Sequence, residues 1–178
     1  MKDTVIKKKI CLLGSFAVGK TSLVERFVYE RFEDKYLTTL GVKISQKLLP
    51  PVQDAISGSR VRHAFLIWDI ASSERFDQVA RNYYRGAAGA IAVADLTRPG
   101  TIQEMLGICG NFRTVCPRAH VLVLGNKLDV FDDDQQTLSV LKQAATRLAS
   151  DVLLTSAKTG HNVEEAFVRL SKQLGNVS

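Results

Sequence analysis

The chain has 178 residues, 46% of them hydrophobic and 24% charged, which suffices for one domain with a buried core and excludes an intrinsically disordered protein. Its net charge of +6 lies entirely in residues 1–89, but no basic stripe with interleaved aromatic residues accompanies it, which argues against nucleic-acid binding. The 3 cysteines are too irregularly spaced for a disulfide framework or a zinc site, and no apolar run is long enough for a transmembrane helix, so we expect a cytoplasmic protein.

Short apolar runs bounded by turn residues alternate along the chain with segments of helical periodicity. The runs predict strands at 10–13, 42–49, 62–69, 90–95, 120–125 and 151–154. The periodic segments predict helices at 23–28, 78–87, 101–115, 135–149 and 163–174. This alternation predicts a three-layer α/β fold, with a six-stranded, mostly parallel sheet covered by helices on both faces. One connection, at 50–59, has no helical pattern, so we expect an antiparallel edge hairpin there with a long tip.

A phosphate-binding loop is predicted between the first strand and the first helix. Residues 14–21 read GSFAVGKT, which fits the pattern G-x-x-x-x-G-K-[ST]. Backbone N–H groups at a helix N-terminus can surround phosphates, Lys20 can reach the β and γ phosphates, and the Thr21 hydroxyl can bind Mg²⁺. The residues expected to contact the nucleotide here are Gly14, Ser15, Phe16, Ala17, Val18, Gly19, Lys20, Thr21 and Ser22.

Two further loops follow predicted strands and select the base. In residues 126–129 (NKLD), the Asp129 carboxylate can accept both the N1–H and the 2-amino N–H of guanine, which adenine does not offer in that arrangement. Asn126 can tie this loop to the phosphate loop, and the alkyl chain of Lys127 can lie along the base. In residues 155–158 (TSAK), the Ala157 N–H can approach guanine O6, with Ser156 and Lys158 beside it. Together the loops predict that GTP and GDP bind at the carboxyl ends of the strands.

With these loops, residues 68–76 (WDIASSERF) and 82–86 (NYYRG) make nearly the whole chain resemble a Ras-superfamily small GTPase of the Rab-like branch. The resemblance implies one P-loop GTPase domain over residues 1–178 and two loops whose shape differs between the GTP and GDP states. In the first loop, at roughly residues 33–42, Thr39 would bind Mg²⁺ and the γ phosphate. Phe32, just before this loop, would contact the face of the guanine ring. Asp69 would hold Mg²⁺ through water at the start of the second.

The same resemblance implies a monomer that binds guanine nucleotide with Mg²⁺ and meets protein effectors and regulators through the two loops. The sequence lacks the C-terminal cysteine on which Rab relatives carry prenyl groups, since its last cysteine is Cys116. We therefore expect no lipidation tail, either because a tail was removed or because the protein does not use one.

The second loop departs from the family pattern Asp-x-Ala-Gly-Gln-Glu, because this chain reads DIASSE at 69–74. Ser72 replaces the glycine whose N–H meets the γ phosphate, and Ser73 replaces the glutamine that orients the attacking water. The residues expected to act in catalysis are Lys20, Thr39 and Ser73. Of these, Ser73 departs from the family pattern. We expect slow GTP hydrolysis with binding intact; the alternative is a pseudo-GTPase that holds guanine nucleotide without turnover.

Phe16 is a second departure, at a position where many relatives have a small residue. Its ring can fill the space through which the arginine finger of an activating protein would enter. Alternatively, the ring packs on the outer face of the switch region, formed by the two loops whose shape differs between the GTP and GDP states, and an activating protein approaches differently. The sequence does not distinguish these two arrangements.

Overall fold

The computed structural model describes residues 4–33, 41–54, 57–71 and 77–175, and among these the side chains of 77–80 lie outside the description. The strands are β1 (Thr4–Leu13), β2 (Val42–Gln53), β3 (Arg60–Ile70), β4 (Gly89–Asp95), β5 (His120–Asn126) and β6 (Val152–Leu154). The helices are α1 (Lys20–Tyr29), α2 (Asp77–Tyr84), α3 (Gly100–Val115), α4 (Gln135–Arg147) and α5 (Val163–Gly175), with a short 3₁₀ helix at Leu128–Val130.

The predicted fold class is confirmed. One sheet has the strand order β2-β3-β1-β4-β5-β6, in which only the edge pair β2-β3 is antiparallel. Central strand β4 reads GAIAVAD and is buried at every position, as expected for a parallel strand covered on both faces. The sheet therefore presents the carboxyl ends of five parallel strands along one edge.

Helices cover both faces of the sheet. On one face, α1 and α5 pack against Ile10, Leu12 and Phe65, and the rings of Phe27 and Phe167 stack with their centroids 3.8 Å apart. On the other face, α2, α3 and α4 pack in a second apolar cluster. Its fully buried members in α3 are Ile102, Met105, Cys109 and Phe112. The free energy gained by burying this face of α3 offsets the low helix propensity of Gly107 and Gly110, which lie on the exposed side of the helix.

The structure corrects two predicted boundaries. Strand β1 begins at Thr4 rather than at residue 10, because Lys7, Lys8 and Lys9 pair through their backbones with residues 64–66 of β3. Strand β2 continues through Pro50 and Pro51 to residue 53, and the Asp54 N–H donates to the Ser59 carbonyl, so the connection to β3 is shorter than the predicted 50–59 tip. Proline is tolerated there because β2 is an edge strand and its register shifts between Leu48 and Pro51.

No helix in the described part of the chain is both long enough and apolar enough to cross a membrane.

Candidate functional site

The loops predicted to bind nucleotide meet at one edge of the sheet. Residues 14–19 follow β1, Asp69 lies at the penultimate position of β3, and residues 127–129 and 155–158 follow β5 and β6. Strands β1, β3, β4, β5 and β6 run parallel, so their carboxyl ends share this edge. Segments more than 100 residues apart in sequence therefore form one site.

The backbone of the phosphate loop requires glycine at two positions. Gly14 has φ 144° and Gly19 has φ 101°, in the region that favours glycine. A Cβ atom on Gly14 would lie 2.4 Å from the Val93 carbonyl oxygen, and one on Gly19 would lie 2.3 Å from Nδ2 of Asn126. Gly19 is the N-cap of α1 and offers no side chain to the helix N-terminus, which leaves the dipole end facing the loop.

Lys20 is held inside the phosphate loop. The residue is 7% exposed, and its ammonium group donates to the carbonyl oxygens of Gly14 at 2.8 Å and Ser15 at 2.9 Å. Burial lowers the pKa of Lys20 to about 8, although the nearby Asp69 carboxylate acts in the opposite direction. The loop thus carries a buried cationic side chain along its inner surface.

Thr21 and Asp69 form a pair of oxygen donors below the phosphate loop. The Thr21 hydroxyl donates to Oδ2 of Asp69 at 2.5 Å, and Asp69 is only 1% exposed. A hydroxyl and a carboxylate are the hard oxygen ligands that Mg²⁺ prefers. The structure therefore brings together two of the three residues predicted to hold the metal.

The other predicted phosphate-loop residues differ in environment. Val18 is fully buried in the apolar cluster with α1 and α5, whereas Phe16 is 54% exposed. Ala17 adopts φ 60°, and Ser22 is partly buried in the first turn of α1. The Ser15 hydroxyl oxygen is buried and has no hydrogen-bond partner among the described residues. A buried, unsatisfied hydroxyl in such a loop fits a phosphate oxygen as its partner.

Asn126 ties the base-binding loop to both neighbouring loops. Its Nδ2 donates to the Val18 carbonyl at 3.0 Å, which is the contact with the phosphate loop expected from the sequence. Its Oδ1 accepts from the Thr155 hydroxyl at 3.2 Å and from the Ala157 N–H at 3.3 Å. The Ala157 N–H, expected near guanine O6, therefore donates within the protein in this structure.

Asp129 and Lys127 are also held by neighbouring side chains. Oδ1 of Asp129 accepts from the Ser156 hydroxyl at 2.6 Å, while the residue itself lies on the exposed side of the loop. Lys127 adopts φ 68°, and its ammonium lies 2.7 Å from Oδ2 of Asp95. These contacts hold a carboxylate and an alkyl chain on the same short loop.

Arg26 belongs to the site although the sequence assigned it no role. It reaches from the last turn of α1 and donates through Nε to the Ala157 carbonyl at 2.8 Å and through Nη2 to the Lys158 carbonyl. Its guanidinium also lies 6.0 Å from the ring centre of Phe32, which is partly buried against the core. The contact to Ala157 spans 131 positions, so no local pattern reveals it.

Three predicted site residues, Thr39, Ser72 and Ser73, lie outside the described residues. Their expected roles consequently depend on the sequence alone.

Comparison with known proteins identifies the family. A family model described as the Ras family matches residues 9–176. The chain belongs to the Ras family. It is 36% identical over 167 residues to the Ras-related protein Rab-31 of Mus musculus, and to that of Homo sapiens, covering 93% of this chain and 82% of each relative. It is 35% identical over 169 residues to the Ras-related protein Rab-4A of Danio rerio, covering 94% of this chain and 76% of the relative.

This Ras-family protein is a Rab-like, GTP-binding small GTPase, and the family works as guanine-nucleotide switches that hydrolyse GTP with Mg²⁺ and bind effector proteins. The donor groups described above fit such ligands. The buried Ser15 hydroxyl and Lys20 ammonium suit phosphate oxygens, and the Thr21 and Asp69 oxygens suit a hard divalent cation.

Proposed function

We propose that this Ras-family protein is a Mg²⁺-dependent guanine-nucleotide switch that hydrolyses GTP slowly. The observation that carries the proposal is the Asn126 side chain, which joins the loop after β5 to the phosphate loop and to residues 155–157. These hydrogen bonds hold the base-selecting and phosphate-binding groups at a constant separation. Preorganised groups spend less free energy on ordering when a ligand binds.

On the phosphate side, residues 14–22 surround the phosphates with backbone N–H groups at the N-terminus of α1. Lys20 binds the β and γ phosphates, exchanging its hydrogen bonds to Gly14 and Ser15 for bonds to phosphate. A buried ammonium interacts more strongly with phosphate than an exposed one, because water does not screen it. Lys20 thus contributes to nucleotide affinity and stabilises the negative charge on the phosphates during phosphoryl transfer.

On the base side, Asp129 accepts the two N–H groups that distinguish guanine from adenine. The Ser156 hydroxyl holds this carboxylate at the required position. Lys127 and Phe32 lie against the base, and the backbone at Ala157 and Lys158, supported by Arg26, closes the site beside guanine O6.

Thr21, Thr39 and Asp69 would hold Mg²⁺. The ion neutralises charge on the β and γ phosphates when it is bound. The contribution of the chain is a hydroxyl and a buried carboxylate kept within 2.5 Å of each other. The switch loops that contain Thr39 and follow Asp69 are where we place the binding of effectors and regulators, with the protein acting as a monomer.

Slow hydrolysis follows from the sequence DIASSE at 69–74. The Ser73 side chain is about two heavy atoms shorter than glutamine and does not reach the attacking water in the same way. Ser72 restricts a backbone position where glycine reorients freely. Because phosphoryl transfer depends on positioning and charge stabilisation, both changes reduce turnover while the binding groups remain in place.

The same substitutions support a second candidate, a pseudo-GTPase that holds GTP or GDP without turnover. Phe16 adds to this case, because this phosphate-loop residue is 54% exposed and its ring can obstruct an arginine finger supplied by another protein.

The deciding experiment identifies the nucleotide released from purified protein and then follows a single turnover of bound GTP. We expect guanine nucleotide in the released fraction and phosphate release above the rate in buffer. Absence of phosphate release supports the pseudo-GTPase, and failure to bind any guanine nucleotide contradicts both candidates.

Ser73→Gln separates a positioning defect from other causes. We expect faster single-turnover hydrolysis with an unchanged dissociation constant for GDP, since the glutamine acts on water rather than on the nucleotide. Phe16→Gly is the companion variant, tested with an activating protein that supplies arginine. If Ser73→Gln leaves the rate unchanged, the limiting residue is Ser72 or Phe16.

A further inference from the structure

Asp95, the last residue of β4, is a buried carboxylate at the ligand-binding edge of the sheet. It is 0% exposed. Its Oδ1 accepts from the backbone N–H and the hydroxyl of Thr97, at 3.0 and 2.7 Å. Its Oδ2 faces the ammonium of Lys127 and the guanidinium of Arg98. One buried anion therefore holds two cations that come from different loops.

The first cation belongs to the base loop, which is the segment at 127–129 that follows β5. Nζ of Lys127 lies 2.7 Å from Oδ2 of Asp95, and next to this contact the Leu96 N–H donates to the Asn126 carbonyl at 3.0 Å. A lysine alkyl chain has many rotamers when it is free, and ordering it costs conformational entropy. Its pairing with Asp95 fixes the end of the chain and so limits the positions of the stem predicted to lie against the base.

The second cation reaches the phosphate loop. Nε of Arg98 donates to Oδ2 of Asp95 at 2.9 Å, and Nη2 of the same guanidinium donates to the Phe16 carbonyl at 2.9 Å. The guanidinium is planar and rigid, so one group bonds two acceptors at a defined separation. Residues 16 and 98, which are 82 positions apart, are thereby linked across the rim of the site.

The network is held together by charge. Burial acts to raise the pKa of Asp95, but hydrogen bonds from Lys127, Thr97 and Arg98 outweigh it and hold the pKa below its usual range. The carboxylate is therefore ionised at neutral pH, and its bonds to the two cations are of the stronger, charge-assisted kind. Removing the carboxylate would release Lys127 and Arg98 together.

We propose that Asp95 is a positioning residue that couples the base loop to the phosphate loop, with Arg98 as the side chain that reaches the latter. The inference rests on the proposed nucleotide-binding function, because it assigns these residues to holding Lys127 and residue 16 where a bound nucleotide meets both. Loosening either end is expected to shorten the time that the nucleotide stays bound.

The test measures dissociation of a fluorescent GDP analogue from the full chain in the presence of Mg²⁺. Arg98→Ala removes one charge-assisted bond at each end, and we expect dissociation about tenfold faster. Asp95→Asn weakens both cation contacts, and we expect roughly 100-fold faster dissociation. Arg98→Lys keeps the charge but has one donor group in place of the fork, so it is expected to restore less than half of the loss on a logarithmic scale.

Arg169→Ala is the matched control, because Arg169 is a partly exposed arginine paired with Glu165 on α5, away from the site. We expect it to leave the dissociation rate within about twofold of the unchanged protein. A double-mutant cycle then isolates the coupling. In an Asp95→Asn background, Arg98→Ala is expected to add less than about threefold, since the arginine has already lost its anchor.

Two results overturn the inference while leaving nucleotide binding intact. The first is an Arg98→Ala dissociation rate that matches that of Arg169→Ala. The second is an effect of Arg98→Ala that persists at full size in the Asp95→Asn background, which would show that Asp95 is not the anchor. Arg98 is partly exposed, so its variants remain informative even if Asp95→Asn does not fold. No binding of the analogue by the unchanged protein overturns the proposed function itself.

Discussion

The two ends of the candidate site are built differently. At the base end, hydrogen bonds join separate loops: Asn126 bonds to Val18, Thr155 and Ala157, and Asp129 bonds to Ser156. At the phosphate end, the groups predicted to bind the ligand bond to each other or to the loop itself. Thr21 donates to Asp69, and Lys20 donates to two carbonyls of the phosphate loop.

This difference indicates how affinity and switching can be separated in one domain. The side chains proposed to recognise the base have internal partners, so we expect substitutions there to disturb the protein as well as ligand binding. In the proposed function, phosphate and Mg²⁺ would replace internal hydrogen bonds of Lys20 and Thr21, so substitutions there are expected to change ligand binding with less effect on the fold. The predictions below test that contrast, from the largest expected effect to the smallest.

Asn126→Ala is expected to have the largest effect, because it leaves the Val18 carbonyl, the Thr155 hydroxyl and the Ala157 N–H without their partner. We expect the free energy of unfolding to fall by about 3 kcal/mol and GDP affinity to fall at least about 100-fold. Urea unfolding and nucleotide titration measure the two effects. Asn111→Ala, at an exposed position of α3, is the control; equal losses in both variants would contradict the prediction.

Asp129→Ala tests whether this carboxylate reads the base. We expect GDP affinity to fall by about 3 kcal/mol, since two charge-assisted hydrogen bonds are lost. The decisive measurement compares GDP with inosine diphosphate, which lacks the 2-amino group. The preference for GDP should disappear in the variant and remain in Asp132→Ala, a nearby exposed carboxylate. If Asp129→Ala still prefers GDP to inosine diphosphate, another group recognises the base.

Thr21→Ala tests the metal assignment at the phosphate end. Removing the hydroxyl takes one oxygen from the predicted Mg²⁺ site and leaves Asp69 in place. We expect the Mg²⁺ concentration needed to retain GDP to rise about tenfold, an effect of about 1.4 kcal/mol, with little loss of stability. The readout is the GDP dissociation rate across a Mg²⁺ titration. Thr114→Ala, an exposed threonine of α3, should show no change; a shift in both variants would argue against a specific ligand.

Glu25→Gln is expected to have the smallest effect, and it acts on stability. Glu25 is buried on α1 and pairs with Arg31 at 2.5 Å and with Lys43, which lie on opposite sides of residues 34–40. Burial acts to raise the pKa of Glu25, but hydrogen bonds from both cations outweigh it and hold the pKa below its usual range. Because these cations are half-exposed and screened, we expect a loss of about 1 kcal/mol near pH 7.

The pH dependence of this loss has a defined sign. A carboxylate with a depressed pKa in the folded state contributes stability above its unfolded pKa of about 4.3, and the contribution is lost as the pH falls through the folded value. The difference between the unchanged protein and Glu25→Gln should therefore shrink below about pH 4. Glu165→Gln, at an exposed pair on α5, should show no such convergence. A difference that stays constant with pH would contradict an ionised Glu25.

Much of the fold and of the site follows from local patterns. The strand runs and helical periodicity predicted the six-stranded sheet, because a residue's burial in a layered α/β fold repeats with the period of its own element. The predicted strand boundaries were wrong where backbone pairing between strands outweighs the character of the side chains. Lys7 to Lys9 precede the predicted start of the first strand, and the two prolines at 50 and 51 fall in the predicted hairpin tip, yet pairing with β3 extends both strands through these residues.

By itself, the sequence determined the ligand class, because the phosphate loop and the two base loops are short motifs whose chemistry depends on neighbouring residues. Only the tertiary structure decided how these loops are joined. Arg26 supports residues 131 positions away, and Asp95 pairs with Lys127 and Arg98. Such contacts depend on the strand order β1-β4-β5-β6, which sets the ends of distant strands side by side. The spacing of these residues along the chain does not reveal that strand order.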